Sequence, residues 1–374
     1  MIELEALEEL QEELKERIRQ DGQLLDNMRS EVRGLKSETR RIQPRSARMI
    51  SLVATDEGNN RFSFDPFQIQ LIRVVDSNRK NYGLEVLTPR SSIAELTRRH
   101  LGENTPLGHM IAYLGLSDLS ELSPVFKPNA DGRLADSWVS VYREMAQWAV
   151  LFYLVREKDY ANDTVILFSG LLRSKMFAKK VGPTGPEGLF GKFRQGLEEG
   201  IRRQFEKNKS RVYICGIAKR SSVFQAYRVA MALEGVMRNT YACFVEVPSV
   251  MEERVITWHE YIKRTDMFVA GKMFFVKFGS GIHDPIWAVD LLLSQQGQAQ
   301  TIFGYLLEDA REGFPIPLYP NCLQRAQDNA ALEDFDIEIL QDQMCEALRE
   351  TLDGKRGIVD ELVLQESDLQ MRSR

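Results

Sequence analysis

Three acidic residues stand where carboxylates could do chemistry. Asp56 follows the apolar run at 49–55, Glu144 lies midway along a helical stretch beside Arg143, and Asp290 closes the run at 285–289, between Val289 and Leu291. Mg2+ and Mn2+ take hard oxygen ligands, and an acid at a strand end presents one from rigid backbone. Taken singly, each is more often a surface acid or a cap. Together they fit a layout in which a mixed sheet and one helix converge acids on one or two metal ions for phosphodiester hydrolysis. The ions would polarise the phosphate and acidify the attacking water. Glu57 adds a further candidate ligand, and Lys219 could stabilise the negative charge that develops.

Other chemistries lack their residues. The stretch 185–193 resembles a phosphate-binding loop but has Pro186 at the first glycine and Phe193 where Ser or Thr would hold Mg2+. The four histidines (His100, His109, His259, His283) have no metal-ligand spacing and read as surface or satisfied polar residues. No H-E-x-x-H, G-x-S-x-G or G-x-G-x-x-G motif is present. Cys215, Cys243, Cys322 and Cys345 are too scattered for a disulfide framework or a zinc ribbon.

The elements that must position the acids read as mixed α and β. The run 49–55 is expected to be a strand ending in a turn cluster, Asp56-Glu57-Gly58-Asn59-Asn60. Strands follow at 69–75 and near 83–87, then a helix at 91–101 and a loop-rich stretch to 128. A helix is expected over 136–157, a buried strand over 164–168, a basic amphipathic helix to about 207, a strand over 212–217 and a helix over 222–237. Residues 244–247 suit a short strand or a helix edge, 273–278 and 285–291 a hairpin, and about 324–352 a final helix.

Residues 1–45 differ in kind. Apolar residues fill nine of twelve heptad seam positions: Leu4, Leu7, Leu14, Ile18, Leu25, Met28, Val32, Leu35 and Ile42. The pattern predicts a coiled coil or helical hairpin, with Asp21-Gly22 as the turn of the hairpin form. Such an arm either packs on the main domain or serves for dimerisation or partner docking. The expected organisation is a helical arm at 1–45, one α/β domain at 46–330 and a helical segment and tail at 331–374.

The 374 residues are 43% hydrophobic and 28% charged, with formal net charge −5. That balance excludes a polybasic nucleic-acid binder but not an enzyme with a local basic groove. Such a groove is suggested by Arg173, Lys175, Lys179, Lys180, Lys192, Arg194 and Arg220, with Lys219 beside them. A charge run is usually a solvated helix face; the functional alternative is a phosphate-binding wall. No apolar leader or spanning segment is read, so a cytoplasmic protein without a membrane partner is expected.

Five ordered segments resemble the NurA nucleases. Val53 to Asn59 is similar to that family's opening "V-D-G-S" strand-turn, TVILFSGLL at 164–172 to its "LLLDGSL" strand, and VYICGIAKR at 212–220 to a later segment with Lys219 at the lysine. The runs 273–278 and 285–291 resemble its "yFvkL…p.iRvD" hairpin, and 313–318 its "GYPyPL" segment. The resemblance implies an RNase H-like core and a Mn2+-dependent (or Mg2+-dependent) nuclease acting on DNA ends. It also implies a homodimer docked on a hexameric HerA translocase, in DNA repair or antiviral defence.

By this resemblance Asp56, Glu144 and Asp290 carry the metal, with Glu157 an alternative to Glu144. Two departures stand out. Ser169 occupies the aspartate of "LLLDGSL", and Asn321 and Cys322 stand where a histidine is expected. A hydroxyl does not replace a carboxylate's charge on a divalent ion. The chain is therefore either an active nuclease or a catalytically degenerate adaptor that docks on and regulates the ATPase.

Overall fold

The computed structural model describes residues 4–45, 51–64, 67–88, 90–130, 132–135, 137–174, 176, 188–253, 268–332 and 334–351; of 4–6, 8–9, 51–64, 67–68, 334–335 and 337 it describes the backbone alone. The chain opens with α1 (Leu4–Gln20), α2 (Gly22–Arg33) and α3 (Leu35–Glu38), then β1 (Arg40–Arg41), β2 (Ser51–Phe64), β3 (Phe67–Asp76) and β4 (Asn81–Leu87). Next come α4 (Ile93–Gly102), α5 (Pro106–Leu114), α6 (Trp138–Glu157), β5 (Thr164–Ser169), β6 (Arg173–Ser174), α7 (Leu189–Asn208) and β7 (Val212–Ala218). The last part holds α8 (Ser222–Glu234), β8 (Cys243–Glu246), α9 (Ser249–Glu253), β9 (Phe268–Val269), β10 (Gly271–Lys277) and β11 (Trp287–Leu292). It ends in α10 (Ala299–Arg311), α11 (Asn321–Ala330) and α12 (Asp334–Thr351).

One nine-stranded sheet organises the described residues, in the order β1-β8-β10-β11-β7-β5-β2-β3-β4. β2, β3 and β4 form an antiparallel meander, and β5 and then β7 add parallel to β2. That five-strand unit has the order and senses of an RNase H-like sheet, as expected from sequence. β11, β10, β8 and β1 extend it with antiparallel pairings. β5 and β7 are uninterrupted apolar runs because helices cover both their faces. Ile166, Phe168 and Ile214 pack under α4 to α7, while Val165, Leu167, Cys215 and Ile217 pack under α10 and α11. Among the described residues no helix is long and apolar enough to cross a membrane.

Several expectations are corrected. The cluster at 56–60 is not a turn: β2 runs through it, paired residue for residue from Thr55↔Asp76 to Phe64↔Phe67. A continuous ladder with β3 bonds the backbone along that side of 56–60, which outweighs the turn preference of Asp, Asn and Gly. The stretch before 128 contains α5, started by the Thr105 side chain accepting from Gly108 N and stopped by Gly115 in left-handed geometry. The helix expected at 324–352 is two, because Ala331 is extended after α11. α10 was not foreseen.

Asp21-Gly22 does not fold the arm into a hairpin. Asp21 N donates to Arg17 O at 3.0 Å and Leu24 N to Asp21 O at 3.0 Å, so near-helical bonding carries through the break. α2 then packs on α8, burying Met28 and Val32 with Val223, Tyr227 and Met231. Arg29 and Arg33 pair there with Glu234 at 2.7 and 3.1 Å.

Candidate functional site

The C-terminal ends of β5 and β7 lie at one edge of the parallel core, where β2 runs past them. Thr55 is opposite Phe168, Phe168 opposite Gly216, and Gly216 opposite Asp290 of β11. Asp56 lies one residue beyond this line, facing Val75 of β3, and Glu57 faces Val74. The side chains of Asp56 and Glu57 lie outside the described residues.

Glu144 sits half-buried on α6, one turn before Gln147 and Trp148, which face the sheet. Gln147 Nε2 donates to the Ser169 carbonyl at 3.3 Å, fixing this part of α6 against the end of β5. From the other layer, Gln327 Nε2 of α11 donates to Ser169 Oγ at 3.3 Å. Ser169 is thus held by two amides. Neither glutamine was singled out from sequence; the available signal was a Gln interrupting an otherwise apolar helical face.

Asp290 has a different setting. It is fully buried, and both carboxylate oxygens accept from Arg173: Nε to Oδ2 at 2.9 Å and Nη2 to Oδ1 at 3.0 Å. Arg173 Nη1 also lies 2.6 Å from Oε2 of Glu252, another buried acid, on α9. Burial works against the Arg173 charge, but the two carboxylates outweigh it and hold the guanidinium above its ordinary pKa. Burial, and then the charge of Asp290, push the neighbouring Cys215 thiol up.

The backbone makes room for this cluster at two glycines. After β5 the chain crosses the face of β7, and a Cβ on Gly216 would sit 2.6 Å from the Gly170 carbonyl oxygen. A Cβ on Gly271 would sit 2.6 Å from Cβ of Asp290 and 2.9 Å from Cβ of Leu172. Any larger residue would lift the crossing segment off Asp290. Glu252 was missed in the sequence because its partner is distant in the chain and α9 has only five residues.

The basic residues divide. Lys219 and Arg220 are exposed just beyond β7, with Lys219 Nζ 5.8 Å from the Tyr319 ring centre. Arg194 is exposed on α7. Lys192 Nζ lies 3.5 Å from the Leu114 carbonyl, a cation at the C-terminus of α5. Arg173, expected on the DNA-binding wall, is committed to Asp290 and Glu252, its side chain 10% exposed. Lys175, Lys179 and Lys180 lie outside the described residues. A groove of about 1040 Å³ opens beside the first turn of α6, lined among others by Arg90, Arg133, Phe126 and Trp138.

The histidines follow their expectation where described. His100 is buried between Thr105 Oγ1 at 3.0 Å and Tyr142 Oη at 2.9 Å, and burial, then Arg99, lower its pKa to about 4. The neighbourhood where a histidine is expected is the start of α11, where Cys322 N donates to Asp309 Oδ2 at 3.1 Å and the Cys322 side chain is buried.

The described donors do not by themselves fit a divalent ion. Near Ser169 they offer one carboxylate, Glu144, with a hydroxyl and side-chain amides, and Asp290 is neutralised by an internal cation. Among the described residues no three His, Cys, Asp or Glu side chains gather as a metal-holding group.

No protein-family model matches the chain, and no curated protein matches it. Solved structures do. The chain is similar to the NurA nuclease from Sulfolobus solfataricus at 13% identity and TM-score 0.46, covering 95% of this chain and 99% of that one. It is similar to a second NurA structure at 13% identity and TM-score 0.41, covering 96% and 100%. It is also similar to a NurA structure with manganese, at 10% identity and TM-score 0.38, covering 91% and 99%.

Proposed function

We propose that the chain is a NurA-like DNA nuclease, with its reaction centre where β2 runs past the end of β5 near the Glu144 turn of α6 and not at Asp290. The observation that carries this reading is the Gln147–Ser169 contact, which holds the Glu144 turn of α6 against the end of β5, next to the strand bearing Asp56. Mn2+ or Mg2+ would supply Lewis-acid activation of the phosphate when bound, with Asp56 as the first candidate ligand and Glu57 and Glu144 as further candidates, of which adjacent Asp56 and Glu57 belong to opposite faces of the sheet. This chain's own contribution is positional. Glu144 is held on a packed helix, and exposed Lys219, Arg220 and Arg194 offer charge to a phosphate backbone. Net acidity elsewhere makes capture of free DNA weak, which suits delivery by a HerA-type hexameric ATPase to a homodimer in the cytoplasm, in repair or antiviral defence.

A second reading is favoured by a specific observation. Ser169 replaces one expected acid and Arg173 neutralises another, which suits a degenerate adaptor that docks on the ATPase without cutting. One experiment separates the two: cleavage of labelled DNA with Mn2+, with and without the ATPase. The nuclease reading expects cleavage that Asp56→Ala abolishes without change in fold or ATPase binding. Wild-type-like cleavage by that variant removes the assignment of Asp56. No cleavage by the native chain under either condition leaves the adaptor.

A further inference from the structure

α1 displays an uncovered apolar stripe. The seam residues Leu7, Leu14 and Ile18 are 50%, 52% and 70% exposed, and Leu10 beside the seam is 43% exposed. The same heptad seam continues into α2, where Met28 and Val32 are buried against α8. One seam is therefore covered by the chain's own body in its second half and exposed in its first. Two heptads of leucine on a helix polar elsewhere are the pattern of a face that packs on another helix.

The charges say which helix. Residues 3–13 carry six glutamates (Glu3, Glu5, Glu8, Glu9, Glu12, Glu13) and no base, whereas residues 14–20 carry Lys15, Arg17 and Arg19 against Glu16 alone. A parallel copy would set the acidic half against itself. An antiparallel copy sets the acidic half against the basic half, twice by symmetry. The heptad spacing agrees: with the two-fold axis between positions 12 and 13, Leu7 layers on Ile18 of the second copy and Gln11 on Leu14. The same register puts Glu8 and Lys15 at facing flank positions.

We propose that α1 is a self-pairing element: two copies of this chain join through an antiparallel coiled coil of their α1 helices, centred between residues 12 and 13. The pairing gives the homodimer its surface and does not depend on whether the chain cleaves DNA. With only a few apolar layers, association is concentration-dependent.

Cysteine cross-linking tests it on the full chain, since the four native cysteines are buried. Leu7→Cys and Ile18→Cys chains, mixed and oxidised, are expected to give a mixed disulfide dimer, while Leu7→Cys alone stays uncrosslinked. A Leu7→Cys homodimer would mean parallel pairing, and no cross-link in the mixture would mean no pairing; either overturns the proposal. Leu14→Glu provides a second measurement by sedimentation: self-association should weaken by ~10-fold or more with an unchanged thermal midpoint, because α1 packs little on the body. Unchanged self-association in that variant, or a native chain monomeric at every reachable concentration, also overturns it.

Discussion

Two acid-bearing regions lie close together along the sheet and are built in opposite ways. At the end of β5, Ser169 is held by two neutral amides, with Glu144 half-buried one turn away from Gln147 on α6 and Lys219 exposed beyond β7. Two strands away, Asp290 is sealed beneath the segment that crosses β7, bound by Arg173, with Glu252 on the guanidinium's far side. The difference teaches that an acid at a strand is not thereby a ligand. What counts is where the fold sets it, and at Asp290 the charge is already met by the protein. A buried carboxylate must be paired, and here a bidentate guanidinium pairs it.

The largest effect should come from removing that internal cation. Arg173→Met leaves two buried carboxylates facing each other, and a loss of about 3–5 kcal/mol is expected in urea unfolding. A shift below about 1 kcal/mol would show that the cluster is open to water or to a cation, and the contrast would collapse. Replacing the set together, Arg173→Met with Asp290→Leu and Glu252→Leu, should recover most of that stability, because apolar groups of similar volume substitute for buried ion pairs at little cost. Failure to recover would point to a role for Asp290 beyond charge pairing.

An intermediate effect is expected at the open end. Ser169→Asp places a carboxylate at the end of β5, where the native hydroxyl meets Gln327, and should raise Mn2+-dependent cleavage by ~10-fold or more, about 1.4 kcal/mol in the barrier. No change in cleavage or in Mn2+-induced thermal stabilisation would count against a metal at this edge. The smallest effect on folding should come from Lys219→Ala and Arg220→Ala, each within about 0.5 kcal/mol of the native chain. Their readout is DNA affinity against salt, whose logarithmic slope should fall by about 1 per charge removed. An unchanged slope would place the phosphate contacts elsewhere, with Arg90 and Arg133 in the groove beside α6 the next to test.

Much of the fold was legible because it rests on local periodicity. The buried runs at 164–169 and 212–218, the hairpin of β10 and β11, and the heptads of the first 35 residues announce themselves. The misreadings share a cause. The Asp56–Asn60 stretch has turn composition but is recruited into a ten-pair ladder by β3, and α5 hides behind its glycines although Thr105 caps it. Local preference yields where pairing or packing offers more.

Of the candidate site, sequence alone determined which residue types are present: acids at Asp56, Glu144 and Asp290, a hydroxyl at Ser169, and the bases around them. It also determined the charge halves of α1, a property of chain order alone. Tertiary structure decided which charges are spent. Arg173 and Asp290 are 117 positions apart, and Glu252 lies on a short helix between them in sequence. Their pairing exists only because the chain crosses β7 over Gly216 and brings the guanidinium down on β11. Charge neutralisation depends on distance and burial, and neither quantity is carried by composition or spacing.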